Sequence, residues 1–210
     1  MNLDVQRAKD AIGRIAKAVE EHKDYLTELD SAIGDADHGI NLNRGFSKAW
    51  EKVNAGSYAD VGGVFRDVAM SMMSSVGGAS GPLYGTLFMK MSAKLAGKSE
   101  ADASLFAESL RDGLAGIVAL GKAQVGDKTM VDALTPAADA LSAEAASGAD
   151  LISALKRTLE AAEEGMKSTI PLVARKGRAS YLGERSAGHQ DPGATSTLLI
   201  LNCFLEAVSE

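Results

Sequence analysis

Apolar residues recur at helical spacing along almost the whole chain, and no stretch of useful length alternates in the two-residue rhythm of a strand. Ala8, Ile12, Ile15 and Val19 follow the i, i+4, i+7, i+11 rule, as do Leu42, Phe46, Ala49 and Val53, then Val61, Phe65, Val68 and Met72. The stripe returns with Leu83, Leu87 and Met91, with Phe106, Leu110, Gly113 and Ile117, with Ile152, Leu155, Leu159, Ala162 and Met166, and with Leu198, Leu201 and Leu205. A weaker, alanine-rich face of Leu134, Ala138 and Leu141 completes about eight helices, with Pro136 expected near a first turn. These stripes predict an all-α fold, an eight-helix antiparallel bundle or barrel, with its chemistry in the loops at the helix ends.

A chain of 210 residues, 46% of them hydrophobic, can bury one full core, and nothing marks a second architecture, so residues 1–210 are read as a single domain. The N-terminus "MNLDVQRAKDAIGRI" has charges where a secretory signal has an apolar core, and no run of eighteen apolar residues occurs. A soluble cytoplasmic protein is expected. The formal charge of -6 argues against a nucleic-acid partner. The single cysteine, Cys203, lies in an apolar run and is expected to pack as a small hydrophobe.

The unusual residues gather in four loops. In "DSAIGDADHGINLN", Asp30, Asp35 and Asp37 crowd around Gly34 and Gly39, which are expected to supply positive φ and let three carboxylates converge. Such a set repels itself unless a hard cation sits between its members; all-oxygen ligands favour Mg²⁺ or Ca²⁺ over Zn²⁺, and with only three carboxylates Mg²⁺, completed by water and phosphate, is the natural choice. An EF-hand is excluded, because counting from Asp35 places Gly39 and Phe46 where ligands are required. The alternative reading makes Asp35 and Asp37 caps of a helix starting near Asn41.

In "SSVGGASGPLYG" one helix ends at Gly77 and Gly78 and the next begins with Ser80 or Gly81 as cap and Pro82 in its first turn. Its free N–H groups suit a phosphate; a tight connection needing small residues is the competing explanation. Arg175, Lys176, Arg178 and Arg185 lie in the twenty-residue stretch 175–194, which has no apolar period and is longer than a bundle needs between helices. They either neutralise a polyphosphate or form a solvated basic stretch. His38 and His189 lie in these loops too, each placed to touch phosphate or merely to order its loop, whereas His22 falls on the polar face of the first helix. Met70, Met72, Met73, Met89 and Met91 are expected in the core; Met130, near glycine, could cover a planar base. Gly97, Lys98 and Ser99 do not make a Walker loop, since the first glycine would fall at Ser92 and no strand precedes it. Nor is there a G-x-G-x-x-G or a protein-kinase catalytic loop. Metal, phosphate nest and arginine together describe a nucleotide site.

The stretches "GDADHGINLNRGF", "SSVGGASGPLYGT", "GKAQVGDKTMVD" and "ARKGRASYLGERSAGHQDPGATS" closely resemble the ADP-binding L subunits of phosphotransferase-dependent dihydroxyacetone kinases, from about residue 25 to the C-terminus. The resemblance implies an eight-helix barrel holding Mg-ADP at one end. Asp30, Asp35 and Asp37 would hold two Mg²⁺ ions, and His38, Gly39, Ile40, Asn41, Ala79, Ser80, Gly121, Met130, Arg178, Asp191, Pro192 and Gly193 would contact the nucleotide. It further implies that ADP stays bound, is converted to ATP by a phosphohistidine-carrying M subunit, and passes its γ-phosphoryl to dihydroxyacetone held covalently on a K subunit, so that no general base is needed in this chain. Related modules act in triose, tetrose and fatty-acid kinases, and some subunits of the family contact a transcription regulator; both remain as alternatives.

Overall fold

The computed structural model describes residues 1–210. Nine α-helices carry the fold: α1 (Val5–Glu21), α2 (Lys23–Ile33), α3 (His38–Ala55), α4 (Val61–Ser75), α5 (Ser80–Leu95), α6 (Ala103–Gly121), α7 (Met130–Ala146), α8 (Leu151–Ser168) and α9 (Pro192–Ser209). Two residue pairs, β1 (Leu3–Asp4) and β2 (Glu100–Ala101), make a minimal antiparallel ribbon. A 3-10 helix at Arg178–Ser186, kinked at Gly183, occupies part of the long connection before α9.

Most helices begin where a short oxygen-bearing side chain can accept an orphan N–H. Asp4, Asp60, Asp102, Thr129, Asp150 and Asp191 cap α1, α4, α6, α7, α8 and α9 in this way. Eight helices close a ring in the order α1, α3, α4, α5, α6, α7, α8, α9 and back to α1, each packed on its neighbours. Lys9 reaches the carbonyls of Asn54 and Gly56 while Gly13 lies under the Trp50 ring, so α1 and α3 run antiparallel. The ninth helix, α2, lies outside the ring against α3 and α9. The periodicity merges it with α1; the structure breaks the two at His22, whose backbone N–H and carbonyl still join the helical hydrogen bonding on either side.

The ring interior is apolar and aromatic. All five phenylalanines are buried, and Tyr84, Phe46, Phe88, Phe65, Phe204 and Phe106 touch in sequence at centroid separations of 5.3–6.3 Å, mostly edge to face. Cys203 is buried beside them, as expected of a small hydrophobe. The methionines divide: Met72 and Met91 are buried, but Met70 and Met73 are 50% and 44% exposed on α4, contrary to the core placement expected of them.

Pro136 is not in a first turn; it lies six residues inside α7. Its ring leaves the Asp132 carbonyl without the usual i+4 donor, and α8 closes on that point through Gly165, where a Cβ would stand 2.3 Å from the Asp132 oxygen. Helix propensity alone favours Gly165→Ala by up to ~1 kcal/mol. The backbone clash outweighs it, and a net loss of ~1–3 kcal/mol is expected in urea unfolding; unchanged or raised stability would show that α8 shifts freely away from α7.

Candidate functional site

The connections α2–α3, α4–α5, α6–α7 and α8–α9 meet at one end of the ring, around a cleft of about 290 Å³. Asp30, Asp35 and Asp37 form one wall. Each offers a carboxylate oxygen within 4.8 Å of the others, a donor set that fits Mg²⁺. Positive φ enters this turn at Ala36 (φ 59), not at Gly34 or Gly39 as expected. The two glycines serve close approach instead. A Cβ on Gly34 would lie 2.0 Å from Asp30 Oδ1, and one on Gly39 would lie 2.0 Å from the Lys23 carbonyl.

Helix α3 starts at His38, three residues earlier than the capping alternative requires, and the Asp37 side chain does not cap it. The cap comes from α2: Asp30 Oδ2 accepts the N–H groups of Asp37 at 2.9 Å and His38 at 3.2 Å. One carboxylate thus fixes the start of α3 and faces the cleft. Across the opening, Arg178 Nε lies 2.7 Å from Asp35 Oδ2, so the long basic connection reaches the acidic wall.

Opposite stands the N-terminus of α5. Its cap position is Ala79, with no side-chain acceptor, and Ser80 is its first residue rather than its cap. Gly77, Gly78, Ala79 and Ser80 all line the cleft, leaving an uncapped helix end facing three carboxylates across a space open to a diphosphate and its cation.

His38 is buried with both ring nitrogens engaged: Nδ1 is hydrogen-bonded to Ser80 Oγ at 3.2 Å and Nε2 to Ser196 Oγ at 2.9 Å. Burial lowers its pKa, opposed by Asp30 and Asp37. Ser196 continues to the Tyr84 hydroxyl at 2.7 Å, and Tyr84 in turn donates to the Gly193 carbonyl at 3.3 Å. Full burial raises the Tyr84 pKa to about 12, so it is a neutral phenol. The histidine therefore orders the floor, tying α3, α5 and α9 together.

Of the other residues expected here, Gly121, Met130, Asp191, Pro192 and Gly193 line the cleft, as does Lys176. Met130 is buried as the first residue of α7, a wall rather than a flap. Gly39, Ile40 and Asn41 do not line it: Gly39 packs on α2, Ile40 is 48% exposed on another face, and Asn41 accepts from Arg44 beside Gly77. His189 and Arg185 are exposed and outside the cleft; Arg175 is held through its backbone N–H on the Asp127 carbonyl.

Sequence reasoning missed the self-bracing of the α6–α7 loop. Asp132 accepts from Gly126 at 2.6 Å and Thr129 at 2.7 Å, completing a capping box whose T-x-x-D spacing was available in "KTMVD". Asp127 likewise accepts from Gln124. Tyr84, Ser196 and Lys128 were also missed, and no local pattern distinguishes them from ordinary helix and loop residues.

If the acidic wall holds Mg²⁺, the ion raises the melting temperature of the wild type by mass action and does so less in Asp37→Asn; equal shifts in both would remove Asp37 from the site. Asp191 gives a pH test. Burial, reinforced by Asp132 and opposed by the Ala194 N–H and Lys128, raises its pKa to about 7 from the usual 3.8. Between those values the folded state holds more protons than the unfolded chain, so this group's contribution falls as pH rises from 4 to 7, by at most ~1.4 kcal/mol per pH unit. In Asp191→Asn, whose amide still accepts the Ala194 N–H, the stability profile should be flatter across that window; an unaltered slope would refute the assignment.

The DAK2 domain profile matches residues 32–206. The chain is 41% identical over 210 residues to the PEP-dependent dihydroxyacetone kinase ADP-binding subunit DhaL of Escherichia coli K12, covering all of both. It is 40% identical over 207 residues to the PTS-dependent counterpart of Lactococcus lactis, covering 99% of this chain and all of that one. The crystal structure of the dihydroxyacetone kinase from C. freundii in complex with AMP-PNP and Mg²⁺ superposes with a TM-score of 0.73 at 24% identity, which speaks to the fold alone; 97% of this chain is covered, and the chain spans 34% of that one. On the extent of the profile match and the full-length identity, the chain belongs to the DAK2 domain family.

Proposed function

We propose that this chain is a single nucleotide-binding unit over residues 1–210, the ADP-carrying subunit of a cytoplasmic, phosphoenolpyruvate-dependent dihydroxyacetone kinase. One observation carries the reading: three converging carboxylates and an uncapped glycine-rich helix end face each other in the same cleft. Full-length similarity to relatives named as ADP-binding subunits supports it. In this reading bound Mg-ADP, with two Mg²⁺, serves as the phosphoryl carrier between a phosphohistidine on an M subunit and dihydroxyacetone on a K subunit.

Each residue's part follows from its position. Asp30, Asp35 and Asp37 ligate Mg²⁺. The backbone of Gly78, Ala79 and Ser80 donates to phosphate oxygens, with the α5 dipole adding to their field. Arg178 moves from Asp35 to phosphate, exchanging one charge-assisted partner for another. Gly121, Met130 and the Asp191–Gly193 turn wall in the remainder of the nucleotide. His38 holds Ser80 in place and is not a base, because both nitrogens are already engaged. Transfer between phosphates asks for positioning and charge neutralisation, which these groups supply without a proton acceptor.

The partners would dock at the cleft end, where Met73, Val118, Leu120, Val125 and Tyr181 are 38–86% exposed on helix ends and loops.

The test is a chase. The protein is loaded with labelled ADP, supplied with K and M subunits, phosphoenolpyruvate, the general transferase proteins and dihydroxyacetone, then diluted into unlabelled ADP. Label is expected to stay on the protein over many turnovers while dihydroxyacetone phosphate accumulates. Loss of about one equivalent per turnover would make ADP an exchanging substrate and overturn the carrier reading.

A further inference from the structure

Lys128 is the most anomalous residue outside the expected set. It is 1% exposed, and its backbone is left-handed (φ 62), a conformation that disfavours any residue with a Cβ. Burying an ammonium is costly unless its donors are used. Here they are: Nζ donates to the carbonyls of Thr169 at 2.5 Å and His189, with Ile170 at 3.4 Å. Two of these acceptors follow the C-terminus of α8, where the helix dipole favours a cation.

The acceptors belong to the two ends of one loop. Gly188 N–H donates to the Ile170 carbonyl at 2.7 Å, and Asp191 N–H donates to Thr169 Oγ1 at 3.1 Å. The chain between them is therefore a long Ω-type loop with a closed neck. Its body carries Arg178 across the cleft to Asp35, and Ala174, Ala179 and Leu182 rest on Ile33 of α2. Its exit leads straight into the Asp191–Gly193 turn.

We infer that Lys128 is a positioning residue, the clasp that closes the neck of the 171–188 loop and so sets how long the cleft retains its nucleotide. The inference rests on the reading of the cleft as a nucleotide site. The loop body has its own buried anchors in Ala174, Ala179 and Ser186, whereas at the neck Ile170, Gly188 and His189 reach solvent, so the buried Lys128 side chain is what ties that end to Thr169 and the Asp191–Gly193 turn. Burial lowers the Lys128 pKa, and the nearby Asp191 and Asp132 oppose that shift.

The test measures release of labelled ADP in the presence of Mg²⁺ from wild type, Lys128→Met and Lys128→Gln, with the core variant Val68→Ala as a control for lost stability. Amide exchange at Gly188 and Asp191 is followed in nucleotide-free protein. Release is expected to be about tenfold faster or more in Lys128→Met, the equivalent of one charge-assisted contact, and intermediate in Lys128→Gln, whose amide can still donate. Both amides should lose protection in step, while Val68→Ala leaves release and these two amides unchanged. Wild-type release in Lys128→Met, or equal acceleration in Val68→Ala, would overturn the clasp, as would continued protection of the two amides. If Lys128→Met does not fold, Lys128→Gln carries the comparison. If wild type takes up no ADP, the nucleotide reading fails, and the exchange data decide the neck by themselves.

Discussion

The first turn of every α-helix leaves backbone N–H groups without partners, and at the cleft end of this ring four such turns come together. They belong to α3, α5, α7 and α9. Each is resolved differently. Helix α7 is closed by the Thr129–Asp132 box and α9 by Asp191, both from local sequence. Helix α3 borrows Asp30 from α2. Helix α5 has no cap, and its first turn also contains Pro82, which has no N–H to satisfy. The one N-terminus left open faces the one surplus of carboxylates, which is the arrangement that a cation and an anionic ligand together would complete.

The same economy governs charge. Asp30 spends one oxygen on two backbone donors, which holds it in place against Asp35 and Asp37. Arg178 gives the acidic wall a partner through a solvent-exposed side chain. Lys128 does the reverse, holding its carbonyl acceptors from a buried position. One cation is exposed and exchangeable, the other buried and fixed. A site that must admit and then retain a polyanion needs both kinds.

The helices were legible because burial of one face imposes a 3.6-residue stripe, and every stripe read from the sequence lies on a helix of the structure. What failed were features that periodicity does not encode. The α1–α2 break at His22 preserves helical hydrogen bonding on both sides, so no glycine or proline marks it. Pro136 sits deep in α7 because Gly165 of another helix admits the distortion, a tertiary fact invisible locally. In the site, Asp30, Asp35 and Asp37 were legible as a dense acidic cluster. The assignment of positive φ to Gly34 and Gly39 was not sound: glycine is required there by the proximity of Asp30 and Lys23, while Ala36 takes the left-handed angle. Ser196 and Tyr84 reach the floor only through the ring closure that brings α9 beside α5's first turn.

That closure explains why the floor is stiff. The aromatic series filling the ring ends at Tyr84, whose phenol is the first polar group above it. From there hydrogen bonds run through Ser196 to His38 and on to Ser80, the first residue of the open helix end. Tyr84, Ser196 and His38 are buried and each hydroxyl or ring nitrogen has a partner, so moving Ser80 would cost His38 Nδ1 its hydrogen bond. The packed core thus fixes the orientation of the α5 N-terminus, three hydrogen bonds away. Preorganised donors of this kind need not reorient when charge arrives, so adjustment is left to the exposed Arg178 side chain.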